Sequence, residues 1–161
     1  MKIISSSGKG NFKLVSQNQE ICELEYTNWF SGKARTIING NHIEIKPKNI
    51  WTSKVDISKN GHVIGDITFN LKGYMVIRME HIPGKEINYV LKNKAVFKLR
   101  FELFDEFNKH QLTMKSVNSW SKLNYDYNIE TGNYVSSINL EEMVVYCGYA
   151  ANLYLALISA V

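Results

Sequence analysis

Met143 to Val161 contain no Asp, Glu, Lys or Arg. That uncharged run, at the end of a chain of short alternating segments, constrains the fold more than any other feature. Asn139 stands where a helix N-cap belongs, and Glu142 falls at the third helical position, as in a capping box. Glu141 and Glu142 lie in the first turn, where the helix dipole favours negative charge. A helix over about 140–161 spans roughly 33 Å at about 1.5 Å per residue. Val144, Val145, Leu153, Leu155, Leu157 and Ile158 are distributed around all its sides, with Gly148, Ala150, Ala151, Ala156, Ser159 and Ala160 interleaved. A helix apolar all round belongs in a core or in a bilayer, and about eighteen such residues are enough to span one. Two details weigh against the bilayer. No Lys or Arg follows Lys122, so the basic flank that orients a span is missing. Asn152 would place an unpaired amide in lipid. The expectation is therefore an internal helix, in which a charge at Leu153 or Ala156 is poorly tolerated. A tail-anchored membrane protein is the alternative.

The residues before the helix alternate with a period of two, the mark of half-buried strands. Cys22, Leu24 and Tyr26 oppose Glu23 and Glu25. Ile43 and Ile45 oppose His42, Glu44 and Lys46, and Val55 and Ile57 oppose Lys54 and Asp56. Asn39-Gly40 and Asn60-Gly61 mark hairpins, because a type I′ turn needs positive φ at both central residues. Val63, Gly65, Ile67 and Phe69 form the next set, followed by Met75, Ile77 and Met79. The longest alternation places Ala95, Phe97, Leu99, Phe101 and Leu103 on one face. Lys94, Lys98, Arg100 and Glu102 lie on the other, interrupted by Val96. Leu112 and Met114, then Tyr125, Tyr127 and Ile129, complete the series. With short strands near 2–4 and 12–15 the count reaches ten to twelve. Such spacing indicates a sandwich or barrel, and closure removes exposed edges. A barrel of about twelve strands encloses more space than strand side chains fill, and one apolar helix threaded through it supplies the filling. The predicted fold is mainly β: a closed antiparallel β-barrel of about twelve strands around a buried C-terminal hydrophobic helix. It forms one domain over 1–161, with strands over about 2–130.

Composition bounds the function only weakly. An apolar fraction of 45% suits a globular domain. A net charge of +4 is a mild bias toward anionic partners, without the dense basic-aromatic interleaving that nucleic-acid binding requires. Cys22 and Cys147 read as buried free thiols. The polar residues after Met1-Lys2-Ile3-Ile4 leave no signal-peptide core, so a cytoplasmic setting is expected. His42, His62, His81 and His110 have no metal-ligand spacing, and neither a phosphate loop nor a nucleophile elbow is present. No cofactor and no catalytic residue are predicted. Trp29-Phe30, Trp51 and Trp120 lie near turns and suit either barrel ends or an interfacial surface.

Several segments carry a family resemblance. Asn60-Gly61-His62-Val63-Ile64-Gly65-Asp66-Ile67 resembles a recurrent turn followed by an Ile-Gly-x-Ile strand. Tyr89-Val90-Leu91-Lys92, leading through Phe97 to Leu103-Phe104-Asp105, resembles a Tyr-x-Leu strand and a later Leu-x-Asp turn. With the order of strands and terminal helix, these patterns resemble the tubby C-terminal-like superfamily, which includes phospholipid scramblases and LURP-one-related proteins. The resemblance implies a small bacterial-type relative that acts as a non-enzymatic binding module. Its implied partners are membrane lipid of phosphoinositide type, met peripherally, or another protein. From the residues themselves, Lys94, Lys98 and Arg100 form the candidate anion- and lipid-binding group, because clustered cations meet phosphate. Lys46 and Lys48, flanking Pro47, form a second basic group. A small-ligand carrier or an enzyme with a cavity at the barrel mouth is the competing functional class.

Overall fold

The computed structural model describes residues 1–28, 31–48, 54–70, 72–94, 98–117, 125–132 and 134–159. Twelve strands form one closed antiparallel barrel around one helix. In chain order they are β1 (Lys2–Ser5), β2 (Phe12–Ser16), β3 (Gln19–Asn28), β4 (Lys33–Ile38), β5 (Asn41–Pro47), β6 (Val55–Lys59), β7 (His62–Phe69), β8 (Met75–Ile82), β9 (Lys85–Asn93), β10 (Arg100–Phe104), β11 (His110–Ser116) and β12 (Tyr127–Thr131). Each pairs with its neighbours in the chain, and β1 with β12 closes the ring through Lys2–Asn128 and Ile3–Tyr127. The helix, α1, runs from Leu140 to Ser159.

Local chemistry explains most of these elements. Asn39-Gly40 and Asn60-Gly61 both have positive φ at the two central residues, as the hairpins between β4 and β5 and between β6 and β7 demand. Gln17-Asn18 turns β2 into β3 with φ of 50° and 63°, without a glycine. Inward residues fill the lumen: Leu14 and Leu24 on β2 and β3, Ile43 and Ile45 on β5, Met75, Ile77 and Met79 on β8, Phe101 and Leu103 on β10. Asn139 caps α1 as expected: its Oδ1 accepts from the Glu142 amide at 3.1 Å and its carbonyl from the Met143 amide at 3.0 Å. Glu142 does not complete the capping box. Its buried carboxylate pairs with Lys59 at 2.6 Å and accepts from the Tyr146 hydroxyl at 3.3 Å, so it binds the helix start to β6.

Every residue from Glu142 to Ala151 is buried, which over more than two helical turns means that all faces are enclosed. Gly148 permits this fit, since a Cβ there would lie 2.7 Å from the Phe12 ring and 2.8 Å from Ile3 Cδ1. Tyr149 stacks on Tyr26 at 5.7 Å and donates to the Gly32 carbonyl at 2.7 Å. Asn152 donates to the Gly10 carbonyl at 2.9 Å, so its amide is partnered.

Three further expectations change. The lumen does not enclose the helix throughout: Leu153 is half-buried, and Ala156 to Ser159 are exposed. A charge at Ala156 would therefore meet water, contrary to expectation, because the helix is longer than the barrel is deep. Second, the strand expected over Lys94 to Leu103 begins later among the described residues. Lys94 follows β9, β10 starts at Arg100, and Ala95, Val96 and Phe97 lie outside the described residues. Third, Val63 is exposed. A bulge pairs Ile57 with Gly65 but Ser58 with Val63, and the extra residue, Ile64, reverses the facing of what precedes it.

Candidate functional site

An up-and-down barrel sends alternate connections to opposite ends, and the helix identifies which end is which. At its start, Glu141 accepts from the Asn39 side chain at 3.1 Å and Glu142 from Lys59. This end carries the tight turns and the Asp105–Lys109 connection. Toward its finish, Tyr149, Asn152 and Tyr154 bond to Gly32, Gly10 and Asn93, in or beside the connections of the other end. That second end is the mouth from which the helix emerges.

The two ends differ in charge. The described residues of the mouth connections include Lys9, Lys48, Lys54, Lys72, Lys94 and Lys98 against one carboxylate, Asp126. Lys54 pairs with Asp66 at 2.9 Å. The other five are exposed, and their ammonium groups have no ion-pair partner among the described residues. The far end gathers Asp105, Glu106, Glu141 and Glu142 with Lys59, Lys85 and Lys109.

The three cations singled out from sequence meet at one corner of this mouth. Lys94 sits opposite Arg100, its amide donating to the Arg100 carbonyl at 2.8 Å. Arg100 is in register with Lys115, Lys115 with Asn128, and Asn128 with Lys2. All of these are exposed, so the outer wall carries Lys94, Arg100, Lys115 and Lys2 in one row, interrupted by Asn128. Beside it is a shallow depression of about 390 Å³, lined by Lys98, Leu99, Arg100, Lys115, Val117 and Asn128 among others. Arg100 pairs with Glu102, and Lys115 with Glu130 at 2.7 Å. Lys115 and Glu130 are both exposed, and a pair of that kind contributes only about 0.2–1 kcal/mol, so phosphate oxygens compete with it readily. The grouping thus arises from a hairpin connection and cross-strand register, not from one strand face. Lys115 was not singled out from sequence. Its outward parity beside Met114 was a usable signal, but the register that brings it to Arg100 is long-range.

The carboxylates of the remaining polar clusters are partnered from within. Asp66, nearly buried, accepts from Lys54 and, at 3.1 Å, from Arg78, fastening β7 to β8 and to the segment before β6. A larger concavity of about 840 Å³ lies on the outer face of β3 to β7 and includes Ile37, Val63, His42 and Glu44. Its charges are partnered: nearby Lys33 lies 2.8 Å from Glu44 and holds that carboxyl below its usual range, Arg35 lies 3.5 Å from Glu25, and Glu23 accepts from the Ser6 hydroxyl at 2.6 Å. Burial pushes the Cys147 thiol and the Tyr127 and Tyr146 hydroxyls up, which keeps them neutral. Among the described residues no three His, Cys, Asp or Glu side chains converge on a metal-sized site. Trp29, Phe30, Trp51 and Trp120 lie outside the described residues. Comparison with protein-family models, with curated proteins and with solved structures finds no match.

Proposed function

We propose that this protein is a non-enzymatic module that docks, mouth first, on an anionic phospholipid surface. The observation that carries the reading is the set of lysines Lys9, Lys48, Lys72, Lys94 and Lys98 at the mouth, without ion-pair partners among the described residues, against the carboxylates at the far end. A charged membrane surface attracts each nearby lysine by about 1 kcal/mol, and the far-end carboxylates favour the same orientation. Arg100 and Lys115 add phosphate-directed donors beside Lys94 and Lys98. The resemblance to the tubby-like superfamily points the same way, as does the helix, whose residues from Glu142 to Ala151 occupy the centre of the barrel that a carrier or enzyme would use as a chamber. The setting this implies is the cytoplasmic face of a membrane, met peripherally.

Flotation with vesicles tests this reading. Phosphatidylserine-containing vesicles should carry the protein, neutral phosphatidylcholine vesicles should not, and salt should release it because the attraction is screened. Lys94→Gln, Lys98→Gln and Arg100→Gln together should weaken binding on the order of a hundredfold, from about 1 kcal/mol per cation. Thermal melting should stay unchanged. Equal binding to both vesicle types, or to neither, sinks the reading.

A further inference from the structure

The last turn of α1 presents apolar side chains to water where the barrel is most cationic. Leu157 and Ile158 are 47% and 52% exposed, and Ala156 and Ser159 are exposed beside them. The Ser159 hydroxyl donates back to the Leu155 carbonyl at 2.8 Å, so it asks nothing of the surroundings. Side chains three and four positions apart share one helix side, which places Leu157 and Ile158 one turn beyond Tyr154. Tyr154 fixes that side's direction. Its hydroxyl accepts from the Asn93 amide at 3.0 Å, and its ring meets Phe101 edge-on at 5.6 Å. Asn93 and Phe101 are the immediate neighbours of Lys94 and Arg100. Among the other exposed apolar residues, Ile82 and Phe107 lie on different hairpins, and Ile37 and Val63 share the outer-face concavity. Here adjacent ones end the helix beside Lys94, which has no ion-pair partner among the described residues, and exposed Val117 lines the neighbouring depression.

We infer that this turn is a membrane-inserting tip: Leu157 and Ile158 enter the acyl boundary of an anionic bilayer while Lys94 and Lys98 hold its headgroups. The inference rests on the membrane reading above and adds a depth and an orientation to it. Apolar insertion and lysine attraction to anionic lipid strengthen each other at an interface. The barrel keeps the buried part of the helix, so the tip enters without spanning.

The test places a thiol at the tip as Ile158→Cys, labelled with an environment-sensitive fluorophore, and a matching label at Asn18→Cys on the far end. Cys22 and Cys147 are buried and stay unlabelled in the native protein. With phosphatidylserine-containing vesicles the tip label should brighten and shift to the blue, and lipids spin-labelled near the headgroup should quench it. The far-end label should do neither. Leu157→Gln with Ile158→Gln should weaken vesicle binding roughly tenfold with an unchanged thermal melt. If the protein binds anionic vesicles, yet the tip label stays unshifted and the double variant binds like the parent, insertion is overturned and headgroup docking stands. If the parent chain binds no anionic vesicle, both readings fall.

Discussion

Two glycines sit where one added methyl group collides, and the atoms it meets rank the consequences. At Gly65 a Cβ would lie 2.3 Å from the Arg78 carbonyl oxygen and 2.7 Å from Met79 Sδ. Backbone in a closed ladder cannot step aside, so Gly65→Ala should lose about 3 kcal/mol, the upper range for overpacking. At Gly148 the obstacles are the tips of Phe12 and Ile3, and alanine gains about 1 kcal/mol of helix propensity in return. Gly148→Ala should therefore lose only about 1 kcal/mol net. Urea midpoints of the two variants at unchanged slope check the order; the reverse order would mean that α1 is held more rigidly than β7. The two cysteines give a second test at this scale. Both are buried and free, and burial raises both thiols, which favours the unreactive neutral form. A thiol reagent at mildly alkaline pH should label neither in the native protein and both in denaturant. Labelling of Cys147 at the rate of an exposed thiol would mean that α1 leaves the lumen.

At the scale of elements, α1 divides into a core half and a tip, and a charge placed along it should report the boundary. Ala151→Asp puts an unpaired carboxylate where nothing is exposed and should unfold a domain of ordinary stability, about 5–15 kcal/mol. Ala156→Asp should leave the thermal melt unchanged. Removing residues 143–161 should leave an apolar lumen open and yield insoluble or molten protein; a sharp melt from that truncation would show that the barrel stands without its helix. Much of this architecture is legible in the chain. Asn39-Gly40 and Asn60-Gly61 mark their turns because only a few residues accept positive φ there, and Asn139 marks the helix start through its side-chain oxygen. Local rules fail where the deciding contact is distant. β4 escapes the alternation reading because it turns Ala34 and Thr36 inward and Ile37 outward, and Gln17-Asn18 lacks the usual glycine. The bulge at Ile64 is visible only against β6. The site follows the same division: the cations are evident in the sequence, but Lys94 facing Arg100 facing Lys115 is a property of register. The exposed tip was hidden by its composition, since apolar residues alone do not say where the barrel ends.

For the whole molecule, the separation of charge between the ends makes a directional prediction. Lys9→Gln, Lys48→Gln and Lys72→Gln at the mouth should each weaken anionic-vesicle binding roughly fivefold, from about 1 kcal/mol per lysine near the surface. Lys85→Gln and Lys109→Gln at the far end should change it little, because at physiological salt the field decays within about 8 Å. Vesicle flotation at fixed ionic strength measures both sets; equal losses would mean that the protein responds to net charge alone and has no docking face. The threaded helix has a different kind of consequence, for the order in which the molecule comes into being. A ribosome delivers the chain from its N-terminus at about 5–20 residues per second. All twelve strands therefore emerge before the segment they pack around, and the pairing that shuts the ring joins Lys2 to Asn128. Until α1 arrives, the nascent strands have apolar faces and nothing to cover them. A message cut short before Leu140 would give the cell no smaller working version of this protein, only a client for its chaperones and proteases.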